Sequence, residues 1–183
     1  TDVRVCNGAA GVSAYAKSSG DWLALAAKAV VVATGGASAL FLRSDNPRRI
    51  LGDGYRLALE AGAELQDMEF VQFYPLCLSE PGRTPLVIPP KLADLGRLFN
   101  DDGENILEKY GITERPAGER ARDRLSQALF KEIFRNRQKV WLDLRTLSED
   151  EWRVDPFAAS LKGLLTKRYG AGSRPLRVSP AAH

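Results

Sequence analysis

Two glycine clusters and a few isolated polar residues carry the chemistry this sequence can offer. The apolar, β-branched run Lys28-Ala29-Val30-Val31-Val32-Ala33-Thr34 stops at Gly35-Gly36, and a polar connection with Asn46-Pro47 leads on to Gly52-Asp53-Gly54. Glycines at a strand end let another backbone or a ligand come closer than a Cβ would allow. Asp53, set between two glycines, also reads as the N-cap of a helix. Arg122 and Asp123 fall near the start of an amphipathic stretch, where most arginines are solvated helix ends. His183 is the only histidine and the last residue, a place where side chains ordinarily fray into solvent. Cys6 and Cys77 lack Cys-x-x-Cys spacing and histidine company, so no metal cage is expected and at most one disulfide.

Elements must hold these residues in place. Val3–Cys6, Gly11–Ala16 and Trp22–Ala27, separated by Asn7-Gly8 and a polar cluster ending at Gly20-Asp21, read as a β-meander. Ala29–Ala33 is apolar throughout, as a strand buried in the middle of a parallel sheet would be. The crossovers such a sheet needs are not in this sequence. The Val3–Ala33 region should therefore rearrange or pair with a second copy, and the chain reads as starting part-way through a domain. A short helix follows Gly54 and closes at Gly62, then Ala63–Tyr74 is expected to be extended. The proline-rich stretch from Pro75 to Pro90 excludes helix and fits an edge strand or an irregular path. Leu98–Gly103 reads as a strand ending in a turn and Glu119–Arg135 as the best helix, with Leu125, Ala128, Leu129 and Ile133 on one stripe. Val140–Leu144 is a strand, Ser148–Glu151 a capping box, Asp155-Pro156 the start of a helix reaching about Tyr169, and Leu176–Val178 a last strand.

The 183 residues are 44% apolar, enough for a core, and their net charge of +3 is interspersed, which argues against a nucleic-acid partner. Apolar runs fall short of the roughly 20 residues that span a bilayer. A cytoplasmic setting is expected, peripheral to a membrane at most.

The ordered combination Lys-Ala-Val-Val-Val-Ala-Thr-Gly-Gly, Asn-Pro, Gly-Asp-Gly, Glu-Ala-Gly-Ala-Glu-Leu-Gln-Asp-Met-Glu-Phe-Val-Gln-Phe, Asn-Asp-Asp-Gly, Arg-Asp-Arg-Leu-Ser-Gln-Ala and Trp-Leu-Asp-Leu-Arg resembles the flavoprotein subunits of fumarate reductase and succinate dehydrogenase, with L-aspartate oxidase as a relative. The resemblance covers the chain nearly end to end. It implies an α+β chain: residues 1–72 as the end of a FAD-binding, two-dinucleotide-type α/β domain, with the β-meander and the buried strand, and residues 73–183 as an α+β capping domain cut short at its C-terminus. The Gly-x-Gly-x-x-Gly turn that holds the flavin pyrophosphate in this family is absent, so the chain is expected to be a piece of a FAD enzyme that does not retain FAD alone.

On this resemblance Ala33, Thr34, Gly35 and Gly36 line the dinucleotide, Asp53 lies close to the flavin, and Asn46 has a weaker claim. Arg122 corresponds to the arginine that gives a proton to the substrate carbon, while Tyr74 and His183 correspond to substrate-binding residues. Four positions depart from the pattern. Tyr74 and Leu76 stand where the family has His and Thr on a dicarboxylate, and Pro89 and Leu92 replace the Glu and Arg that help the catalytic arginine shed its proton. A substrate other than fumarate is expected, with an iron–sulfur or other electron-transfer subunit as possible partner. The rival readings are a non-catalytic partner-binding module and an electron-transfer flavoprotein subunit.

Overall fold

A computed structural model of the chain describes residues 2–6, 9–81 and 85–183. It falls into two compact units, one formed by Thr1–Leu40 and Asn46–Val71, the other by Phe41–Asp45 and Gln72–His183.

The first unit opens with strands β1 (Asp2–Cys6), β2 (Ala9–Ala16) and β3 (Asp21–Ala27), an antiparallel meander in sequence order. The Asn7-Gly8 turn and the Cys6 side chain lie outside the described residues. Between β2 and β3, Gly20 takes the left-handed conformation at φ 78° and its N–H returns to the Ala16 carbonyl at 2.8 Å, so the polar cluster makes a tight hairpin loop. Tyr15 and Trp22 sit directly opposite each other and their rings meet at 5.4 Å, the cross-strand contact that pins register.

The expected strand Ala29–Ala33 does not form. The chain there is irregular and exposed, with Val31 87% accessible. A strand buried on both faces exists only through its neighbours, and among the described residues none pairs with this run. Helix α1 (Asp53–Glu60) follows as expected and closes through Gly62 at φ 89°. Its N-cap, however, is Gly52 at φ 83°; Asp53 is the first helical residue and its carboxylate caps no N–H. Residues 63–72 are irregular rather than extended, with Asp67 at φ 56° and a turn from the Phe70 N–H to the Asp67 carbonyl.

The second unit is built on an antiparallel four-stranded sheet of β4 (Phe73–Leu78), β5 (Arg97–Asn100), β6 (Val140–Asp143) and β7 (Leu176–Ala182), in the order β4-β7-β6-β5. Pro75 lies in β4, an edge strand whose pairing shifts between Tyr74 and Cys77, where a missing N–H is tolerated. The last strand runs four residues further than Leu176–Val178 and occupies a central position. The helices are the single turns α2 (Leu92–Leu95), α3 (Ile106–Lys109) and α4 (Ala117–Arg120), then α5 (Arg122–Phe130), α6 (Glu149–Arg153) and α7 (Pro156–Tyr169). The capping box at Ser148 and Glu151 is present, and Asp155 caps α7 through the Phe157 and Ala158 N–H groups.

The expected helix Glu119–Arg135 is broken. Ala121 at φ −129°, ψ 36° separates α4 from α5, which makes Arg122 the first residue of its own helix, and Lys131–Arg135 relaxes into a π-helical turn. Leu125, Ala128 and Leu129 still face the core with Leu76, Leu98, Leu142 and Leu176. The π-turn lets Glu132 point inward, fully buried, where it accepts from Tyr110 Oη at 2.7 Å, Lys109 Nζ at 2.9 Å, Asn136 Nδ2 at 3.2 Å and Asn100 Nδ2 at 3.3 Å. Burial alone would raise its pKa, but these donors outweigh that and hold it below the ordinary carboxylate value.

Candidate functional site

The second unit gathers Arg122, Tyr74 and His183, which are far apart in sequence. Ser126 lies four residues after Arg122 and so on the same helix face, and its hydroxyl donates to the Phe73 carbonyl at 3.2 Å. That bond fixes the first turn of α5 against β4 and sets the Arg122 guanidinium over the Tyr74 ring, 5.5 Å from its centroid. Just past the end of β7, next to β4, the His183 ring lies 5.6 Å from the Tyr74 ring. Tyr74 is therefore the centre of the cluster. Its phenol is pushed up to about 12 by burial, against the opposing pull of Arg122, so it is a hydrogen-bond donor and not a base at neutral pH. Arg122 is half-buried, and among the described residues its N–H groups meet no hydrogen-bond acceptor.

His183 does not fray. Its backbone N–H donates to the Gln72 carbonyl at 3.0 Å, and its Nδ1 lies 2.7 Å from Asp45 Oδ2. Asp45 is brought there by the strip Arg43–Asp45, which runs beside the end of β7: the Ala182 N–H donates to the Arg43 carbonyl at 2.9 Å, and the Asp45 N–H to the Ala182 carbonyl at 3.2 Å. Sequence reasoning missed Asp45, because nothing local links it to a residue so far along the chain. Arg43 was missed too. Two of its guanidinium nitrogens, Nε and Nη2, are buried without an acceptor, and burial pulls its pKa down.

Of the residues that depart from the family pattern, Leu76, Pro89 and Leu92 are apolar core. Leu76 and Leu92 have no accessible surface and Pro89 is buried, so none of the three offers a polar group to a ligand. Cys77 is a free buried thiol whose pKa burial pushes up to about 12, far from a reactive thiolate. Among the described residues no group of three or more His, Cys, Asp or Glu could hold a metal ion.

The first unit holds a separate cleft of about 300 Å³, lined by Thr34, Arg49, Ile50, Leu51, Gly52, Asp53, Arg56 and Leu57. Of the expected cofactor residues, Thr34 and Asp53 line it. Ala33, Gly35 and Gly36 follow on the same exposed segment without lining it, and Asn46 is not part of its wall. Gly35 has φ 76°, a conformation that favours glycine, and a Cβ on Gly54 would fall 2.0 Å from Thr34 Oγ1. The second glycine of Gly52-Asp53-Gly54 thus serves packing of α1 against the Thr34 segment. The backbone of residues 33–36 makes no backbone hydrogen bond among the described residues. Amides without a backbone partner, a glycine turn and two arginines, Arg49 and the Glu60-paired Arg56, suit a polyanionic ligand such as a dinucleotide. The arginines carried no motif by which the sequence could single them out.

A family model described as FAD binding domain matches residues 3–168. The chain belongs to this family of flavoproteins, whose cofactor is FAD. It is 36% identical to L-aspartate oxidase of Nostoc sp. over 94% of its length and 30% of that protein. It is 34% identical to the fumarate reductase flavoprotein subunit of Escherichia coli, over 94% of its length and 31% of that protein. Among solved structures it matches a quinol-fumarate reductase with menaquinol molecules, with a TM-score of 0.79 and 33% identity, over all of this chain and 34% of that one. The chain thus spans about a third of the length of the relatives it matches. The mixed helix and strand architecture agrees with these flavoproteins, and no helix among the described residues is long and apolar enough to cross a membrane.

Proposed function

We propose that this chain contributes part of the flavin wall and much of the substrate cap to a flavin-dependent oxidoreductase of the fumarate reductase and succinate dehydrogenase type. In this reading residues 1–72 belong to the FAD domain and 73–183 to the cap. When bound, FAD supplies the hydride acceptor or donor. Ala33, Thr34, Gly35, Gly36 and Asp53, with Arg49 and Arg56, would hold it; Asn46 keeps only its motif as support.

The chain's own residues supply the rest. Arg122 would give a proton to the reacting carbon from a guanidinium whose N–H groups meet no acceptor among the described residues, and would do so without the Glu and Arg that Pro89 and Leu92 replace; Tyr74 would donate a hydrogen bond from its buried phenol; and His183 would contact the substrate from just past the end of β7. The observation that carries this reading is the convergence of Arg122 and His183 on the Tyr74 ring, assembled from α5, β4 and the end of β7. A dicarboxylate such as fumarate fits poorly, because Leu76 leaves a buried carboxylate oxygen without a donor, at a cost of about 1–3 kcal/mol. Partnership with an electron-transfer subunit fits the Escherichia coli relative's being named a subunit.

The test is the absorbance of the full-length gene product. A flavin spectrum bleached by an added carboxylate substrate supports the proposal. Absence of flavin overturns it, and rapid reoxidation of the reduced flavin by fumarate overturns its substrate part.

A further inference from the structure

We infer that Asp45 is a positioning residue that fixes the tautomer of His183, so that the site recognises a substrate carrying a hydroxyl or amino donor beside its carboxylate. The inference rests on the substrate face described above and deepens it. Asp45 Oδ2 lies 2.7 Å from His183 Nδ1, and the Asp45 side chain is 6% exposed while that of His183 is 48% exposed. The pair is not a chance surface contact. Both partners hang from one backbone ladder, in which the Asp45 N–H and Ala182 carbonyl, the Ala182 N–H and Arg43 carbonyl, and the His183 N–H and Gln72 carbonyl are all bonded.

An ionised carboxylate only accepts hydrogen bonds, so the nitrogen facing it must carry a proton. In the neutral imidazole this puts the hydrogen on Nδ1 and leaves Nε2 as a bare acceptor. Among the described residues Nε2 has no hydrogen-bond partner. An acceptor at that position repels a second carboxylate oxygen and accepts from an O–H or N–H on the substrate. The donors needed for a carboxylate remain available at the Tyr74 phenol and the Arg122 guanidinium beside it. The groups around Tyr74 therefore differ in kind: donors at Arg122 and Tyr74, an acceptor at His183.

The experiment uses the 15N-labelled chain, whose only histidine gives one imidazole spectrum. Long-range proton–nitrogen correlation at alkaline pH, where the ring is neutral, reports which nitrogen is protonated. The wild type is expected to show the Nδ1–H form, and Asp45→Ala to convert it to a mixture rich in Nε2–H with the backbone amide spectrum otherwise kept. An Nε2–H wild type, or a variant that keeps the Nδ1–H form, overturns the inference. The wild-type spectrum decides by itself should Asp45→Ala not fold. Lactate and propionate, which differ by a hydroxyl, are the probes for the substrate class. Lactate is expected to shift the Nε2 resonance at roughly tenfold lower concentration, whereas equal effects, or none from either, overturn that part. The tautomer arm needs neither flavin nor turnover, so its failure is distinct from failure of the oxidoreductase reading.

Discussion

The two units differ sharply in how their apolar residues are used. In the first, Val3 and Leu57 are the buried hydrophobic side chains among the described residues, while β3 is exposed along its whole length, with Trp22 69% and Leu25 55% accessible. In the second, one continuous cluster runs from Tyr74 to Ala181 and draws on every strand of the sheet. Strand pairing in a meander comes from alternation and tight turns, which are local. Burial comes from whatever lies across the face, which is not. The second unit supplies its own cover, and so stability should be concentrated there.

That contrast can be broken by mutation. The largest loss is expected from Glu132→Ala, which removes the buried acceptor that Tyr110, Lys109, Asn136 and Asn100 share; about 3–5 kcal/mol should disappear from the urea unfolding free energy. Leu142→Ala, at a position with no accessible surface, should cost about 2–5 kcal/mol in the same measurement. Arg43→Met should act in the opposite sense and stabilise by about 1–3 kcal/mol, because it removes two buried guanidinium nitrogens that have no acceptor among the described residues. Leu25→Ala, on exposed β3, should change stability by no more than about 0.5 kcal/mol. A Leu25→Ala loss as large as that of Leu142→Ala would show that β3 is covered in solution and would erase the difference between the units.

What the sequence made legible follows the same division. The meander, α1 with its Gly62 stop, the capping box and Asp155-capped α7 were all readable, because each depends on residues within a few positions of one another. Ala29–Ala33 misled for the opposite reason: its composition describes a strand among neighbours, and none lies beside it here. The break at Ala121 was hidden because an alanine favours helix, and tertiary packing of α4 and α5 overrides that preference. In the site, Arg122, Tyr74 and His183 could be named from resemblance, but their convergence depends on α5 docking to β4 through Ser126, which no local pattern announces. Asp45 and Arg43 were invisible, since their roles arise only from the strip that lies beside β7.

Arg122, whose N–H groups over Tyr74 meet no acceptor among the described residues, is the proposed proton donor. The most direct test is Arg122→Lys in the full-length flavoprotein, read by substrate-dependent bleaching of the flavin. The account predicts an unchanged flavin spectrum and a rate lowered by about 10²-fold or more, the scale of a lost general acid. Unchanged turnover would contradict it.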